Sequence, residues 1–104
     1  MADPMKIRAV MQSGRVEVKI LMSHQEETGL RKGADGELVP AHFISNVSVS
    51  HAGREVLRVQ WGRAISKNPF LQFAFRGAAR GDELTVTWID NLGDTRTDRI
   101  TIAQ

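Results

Sequence analysis

Three histidines are the side chains of this sequence best suited to chemistry: His24, His42 and His51. Imidazole is the commonest protein metal ligand and exchanges protons near neutral pH. The spacing of the three matches no compact metal motif, and the chain has no cysteine to complete one. His24 and His42 flank a long connection, so folding can bring those two together. The carboxylates Glu26, Glu27, Asp35, Glu37, Asp82, Glu83 and Asp90 fall mostly in loops, and no recognisable motif pairs any two for acid–base work. Asp82 and Asp90 read as turn residues, whose short carboxylates bond nearby backbone. No serine sits in a nucleophile elbow. These residues predict no catalytic group, no bound cofactor and no metal site.

The elements that position these side chains follow a period of two. Val16, Val18, Ile20 and Met22 alternate with Glu17 and Lys19, Leu57, Val59 and Trp61 with Arg58 and Gln60, Leu71, Phe73 and Phe75 with Gln72, Ala74 and Arg76, and Leu84, Val86 and Trp88 with Thr85 and Thr87. This is the signature of strands with one face in a core. Seven strands are expected, at about 5–11, 15–22, 43–50, 54–61, 71–76, 83–90 and 95–102, separated by Gly-rich turns. Short gaps predict antiparallel hairpins. The expectation is an all-β, immunoglobulin-like antiparallel sandwich of about seven strands in a single domain spanning 1–104; a small barrel is the structural rival. The cysteine pair of antibody domains is absent, so packing alone must hold the core. A superoxide-reductase-like iron site on such a fold would need a cysteine ligand, which this chain lacks.

Composition narrows the partners. Fourteen basic residues against 12 acidic ones give a net charge of +2, and the basic residues are scattered singly among acids, with Arg31-Lys32 the longest basic pair. Nucleic-acid binding, which calls for a basic stripe, is not expected. No apolar run approaches the ~20 residues of a membrane span. Lys6 and Arg8 interrupt the N-terminal segment, so no secretory signal is read there, and the bare sequence points to the cytoplasm.

Two segments look like recognition surface. The connection Met22–His42 is roughly twenty residues long, unusual in a compact domain unless functional. It carries Gly29, Gly33 and Gly36, and Pro40 holds Val39 extended. The second segment is Arg63–Phe75. There Asn68-Pro69 gives a non-helical entry to a strand whose Leu71, Phe73 and Phe75 share a face, leaving Phe70 on the other. Phe70 then either covers a core edge or stands exposed to a partner. Ala74 makes its face flat enough for close approach. The residues expected at a partner interface are Met22, His24, Leu30, His42, Phe70 and Ala74. The polar stretch Asp94–Arg99 reads as a solvated edge that discourages aggregation.

The stretches Glu27-Thr-Gly-Leu-Arg-Lys32, Val39-Pro-Ala-His-Phe-Ile44, Ser66-Lys-Asn-Pro69 and Val86-Thr-Trp-Ile-Asp-Asn91, with Gly93-Asp94 and Arg96-Thr-Asp98 following, occur in order along nearly the whole chain. With them the chain resembles the SoxZ family, the smaller subunit of the SoxYZ sulfur carrier of bacterial thiosulfate oxidation. The sequence departs where the family often reads Ser-His-Pro-Met: here Ser23-His24 is followed by Gln25-Glu26. The resemblance implies a non-catalytic scaffold that forms a heterodimer with SoxY, whose C-terminal cysteine carries the sulfur, and that meets other Sox enzymes through this complex. It also implies a periplasmic location reached by co-export with a signal-bearing SoxY, which overrides the cytoplasmic reading. An apolar face left without its partner would let isolated chains pair with themselves. Two other readings are a generic immunoglobulin-like accessory or adhesion module, and a metal-dependent enzyme built on His24, His42 and His51.

Overall fold

The structure is a computed structural model that describes residues 3–24, 27, 29–62 and 68–103. The Arg63–Lys67 part of the second recognition segment, and Gln25, Glu26 and Thr28 of the first, lie outside the described residues. Among the described residues seven strands form, close to where alternation predicts them: β1 Lys6–Gln12, β2 Arg15–Leu21, β3 Ile44–His51, β4 Arg54–Gln60, β5 Phe70–Phe75, β6 Glu83–Asp90 and β7 Thr95–Thr101. They pair antiparallel into a three-stranded sheet, β1-β2-β5, and a four-stranded sheet, β4-β3-β6-β7. The two sheets face one another as a β-sandwich.

Parity decides what goes inside. Val16, Val18 and Ile20 of β2 are fully buried, as are Leu84 and Val86 of β6, with Trp88 at 1% exposure. In β3 the buried residues Ile44 and Val47 are three apart, which alternation alone forbids. A register shift between Ile44 and Asn46 in the pairing with β6 absorbs the extra residue, and so returns both side chains to the core. The β1–β2 and β3–β4 turns are two-residue hairpins, Ser13-Gly14 and Ala52-Gly53, with all four residues at positive φ. That backbone suits the twist of paired strands, and glycine at the second position takes it without steric cost.

The long connection between β2 and β3 is itself a ribbon. Glu27 and His42 exchange backbone hydrogen bonds of 2.7 and 2.9 Å, the Val39 N–H donates to the Arg31 carbonyl, and the Gly33 N–H donates to the Glu37 carbonyl. The ribbon turns at residues 33–37, where Gly36 has φ +82°. Along its first arm, Arg31 forks onto the carboxylate of Glu27, four residues earlier. Such a ribbon accounts for the length of the molecule, 53 × 22 × 20 Å, because a strand of seven or eight residues spans only about 25 Å. Leu30 and Leu38 on the ribbon are 77% and 58% exposed.

Candidate functional site

At the base of the ribbon three side chains converge. Asp90 ends β6, and its side chain is fully buried. One carboxylate oxygen, Oδ1, accepts the backbone N–H groups of Leu92 and Asp94 at 3.0 and 2.9 Å, the turn role read from sequence. The other oxygen, Oδ2, lies 3.0 Å from His24 Nε2 and 2.9 Å from His42 Nε2. An ionised carboxylate only accepts, so both Nε2 atoms carry hydrogen and donate to the same oxygen.

Each histidine is held from both sides by local structure. Beyond the end of β2, the Met22 N–H donates to the Pro69 carbonyl and the Asn68 N–H to the His24 carbonyl. The Asn68 side chain accepts the His24 N–H at 3.0 Å. Asn68 takes a left-handed conformation, φ +52°, which asparagine tolerates better than most residues. His42 is fixed through its neighbours: Asn91 accepts the Phe43 N–H and donates to the Ala41 carbonyl, both at 2.8 Å. Asn68 and Asn91 are positioning residues that spacing alone did not single out. Both lie inside the stretches that carry the family likeness, which is the signal that marks them.

Burial would push the Asp90 carboxyl up. The hydrogen bonds from His24 and His42, and from the backbone of Asp94 and Leu92, outweigh it, and the group rests below the usual carboxylate range. The ring of His24 meets that of His42 edge-on at 4.6 Å and that of Trp88 edge-on at 4.9 Å. Trp88 forms the apolar floor, and its buried Nε1 has no hydrogen-bond partner among the described residues. Trp88→Phe therefore deletes ring volume but also an unsatisfied donor. Its expected cost is about 1–2 kcal/mol in chemical denaturation, below the ~3–5 kcal/mol of truncating a buried Trp to alanine.

His51 stands apart. It closes β3, whose other end, Ile44, pairs with Asp90, so the length of the strand, roughly 23 Å, separates it from the bracket. Its Nε2 meets Asp82 Oδ2 at 2.8 Å, and the Ala79 N–H donates to the same oxygen. These two bonds hold the Asp82 carboxyl below its ordinary value. A metal centre built on all three histidines is thereby overturned. His24, His42 and Asp90 are the group that brings three ligand atoms together among the described residues, all within 4.8 Å of one another.

The expected interface residues divide by burial. Leu30 and Phe70 are exposed, Phe70 at 55%. Phe70 therefore stands out to solvent instead of covering a core edge, as the parity of β5 requires. Ala74 is exposed on the same face, and the His42 side chain is 29% exposed. Met22 is fully buried and His24 is 8% exposed. Met22 as a partner contact is thus corrected: it continues the inward parity of Val16, Val18 and Ile20 and belongs to the core. His24 likewise faces Asp90 and Trp88 instead of a partner.

Fold and site together define a small two-sheet all-β domain, with its long β2–β3 ribbon held at the base by a His–Asp–His bracket. The model of the family "Sulphur oxidation protein SoxZ" matches residues 5–101, and the chain belongs to the SoxZ family, which gives it a role in sulfur oxidation. No curated protein matches it. Among solved structures it is similar to the neelaredoxin-type superoxide reductase of Ignicoccus hospitalis, at 17% identity and TM-score 0.64, over 98% of this chain and 80% of that one. It is also similar to a superoxide reductase in the oxidised state, at 14% identity and TM-score 0.68, over 96% and 87%. A point variant of the Archaeoglobus fulgidus superoxide reductase, in the reduced form, follows at 18% and 0.58, over 96% and 86%. At these identities the likeness is one of fold alone.

Proposed function

We propose that this chain is the non-catalytic scaffold subunit of a SoxYZ sulfur carrier, forming a heterodimer with a SoxY partner whose cysteine bears the sulfur. The observation that carries the reading is the family match over residues 5–101 in a chain without a thiol of its own. A carrier complex with one covalent attachment point needs a subunit that offers surface. The surface suited to that task lies at the ribbon end. Leu21 and Phe70 are register partners on the outer face of the three-stranded sheet, at 37% and 55% exposure. Leu30, Leu38 and Leu92 are exposed as well. β5 is an edge strand, and so offers backbone groups to a neighbouring chain. In this reading the subunit works in the periplasm, carried there by a signal-bearing SoxY, and meets the other Sox enzymes as part of the complex. No helix of the described residues is long and apolar enough to cross a membrane.

Co-expression with a SoxY protein from the same genome, with a tag on that partner only, tests the reading by native mass spectrometry. A one-to-one complex with any sulfur adduct confined to the partner is expected. Failure to co-purify at mild salt would replace the scaffold reading with that of a generic accessory module.

A further inference from the structure

We propose that His24, His42 and Asp90 form a binding site for a borderline divalent cation such as zinc, which would lock the β2–β3 ribbon to the β6–β7 turn. The proposal is independent of the SoxY reading, since it concerns only this chain. Two imidazoles and one carboxylate suit zinc and its neighbours in the first transition row. Thiolate is absent from the whole chain, so softer ions are not favoured.

Preorganisation argues for the site. The carboxylate is oriented by two backbone N–H groups on Oδ1, which leaves Oδ2 directed at both rings. Asn68 fixes the backbone of His24, and Asn91 fixes the residues on either side of His42. Outer contacts of this kind keep ligands in place at metal sites. Tetrahedral coordination with bonds of about 2.0–2.2 Å sets neighbouring ligand atoms about 3.3 Å apart. The two N···O separations of 3.0 and 2.9 Å need widen by only a few tenths of an ångström, and the two imidazole nitrogens, which lie within 4.8 Å of one another, must close toward the same spacing by small rotations of the rings.

The side chain of His24 is 4% exposed and that of Asp90 fully buried, while that of His42 is 29% exposed. The cation would enter past His42, and water would complete its shell on that side. Binding uses the Nε2 lone pairs, so each Nε2 gives up its proton, to the other nitrogen of the ring or to solvent, and no redox step is involved.

Calorimetric titration of the untagged, chelator-stripped full chain with zinc chloride tests this, with cobalt(II) absorption as a probe of coordination geometry. One ion per chain is expected, with the visible bands of a four-coordinate cobalt site and a rise in Tm on zinc addition. His42→Gln keeps a partly exposed polar side chain and the fold, and should weaken binding at least about 100-fold, since losing even an outer contact costs 10–100-fold. His51→Gln, at the other end of the sandwich, should bind like the parent. Absence of binding by the parent chain, equal binding by His42→Gln, or loss of binding in His51→Gln would each overturn the proposal. A chain that pairs with SoxY but takes up no zinc would sink the cation site and leave the scaffold reading standing.

Discussion

Asp90→Ala should lower the melting temperature by about 15–25 °C, corresponding to about 3–5 kcal/mol for a domain of this size. One carboxylate receives four donors: the backbone N–H groups of Leu92 and Asp94 on Oδ1, and the Nε2–H groups of His24 and His42 on Oδ2. Alanine leaves all four without an acceptor. Each stranded donor costs about 1–3 kcal/mol where water cannot reach it, and the His24 side chain is 4% exposed. Asp90→Asn should cost far less, about 1–2 kcal/mol, because its carbonyl still serves the turn. Its amide also offers two hydrogens to two Nε2 lone pairs once the rings adopt the other tautomer. If Asn proves as damaging as Ala, the bracket is held by charge and not by hydrogen-bond complementarity.

The same carboxylate sets an acid response. Its folded-state pKa lies below the ordinary aspartate value. The folded state therefore holds this proton less tightly than the unfolded chain does. The resulting stability is fully present above the unfolded value and is lost as pH falls through the folded one. Asp82 and Asp98 are shifted the same way, Asp82 mainly by the His51 hydrogen bond and Asp98 mainly by that of Arg96, so the parent loses stability in acid from several groups. The informative quantity is the gap between the parent and Asp90→Asn, which should narrow as pH falls below about 4.

Much of this fold is legible locally. Parity alone places Val16, Val18, Ile20, Leu84 and Val86 inward and Phe70 outward. It also places Met22 inward, and the location of that residue next to a long connection does not change its facing. The approach of His24 to His42 is implied by their places at the two ends of the ribbon. The third member is not legible, because Asp90 reaches the histidines through the long-range pairing of β3 with β6, where Ile44 stands opposite Asp90. That register depends on a bulge which lets Ile44 and Val47 both face the core, and no local spacing announces it. Asn91 shows the same limit: its side chain spans to Ala41 and Phe43, far back in the chain.

If the proposed scaffold reading holds, Phe70→Asp should weaken the heterodimer with SoxY by about 2–4 kcal/mol, roughly 30- to 1000-fold, while leaving the fold intact. Phe70 is 55% exposed on the face opposite Leu71, Phe73 and Phe75, so the core does not register its loss, and exposed substitutions of this sort usually stay within about 0.5 kcal/mol. An aspartate there would put an unpaired charge beside Leu21 in any interface that covers the pair. Leu30→Asp on the ribbon should act in the same direction if the partner reaches that far. Ala74→Asp lies further along the same face of β5 and maps how far the contact extends toward the other end of the sheet. Met22→Ala would be the wrong probe, because it opens a cavity in the core at about 2–5 kcal/mol and lowers binding through unfolding. Affinity by surface-immobilised SoxY, read beside the melting temperature of each variant, separates the two causes. Unchanged affinity in Phe70→Asp and Leu30→Asp, with normal melting, would move the SoxY contact away from the ribbon end.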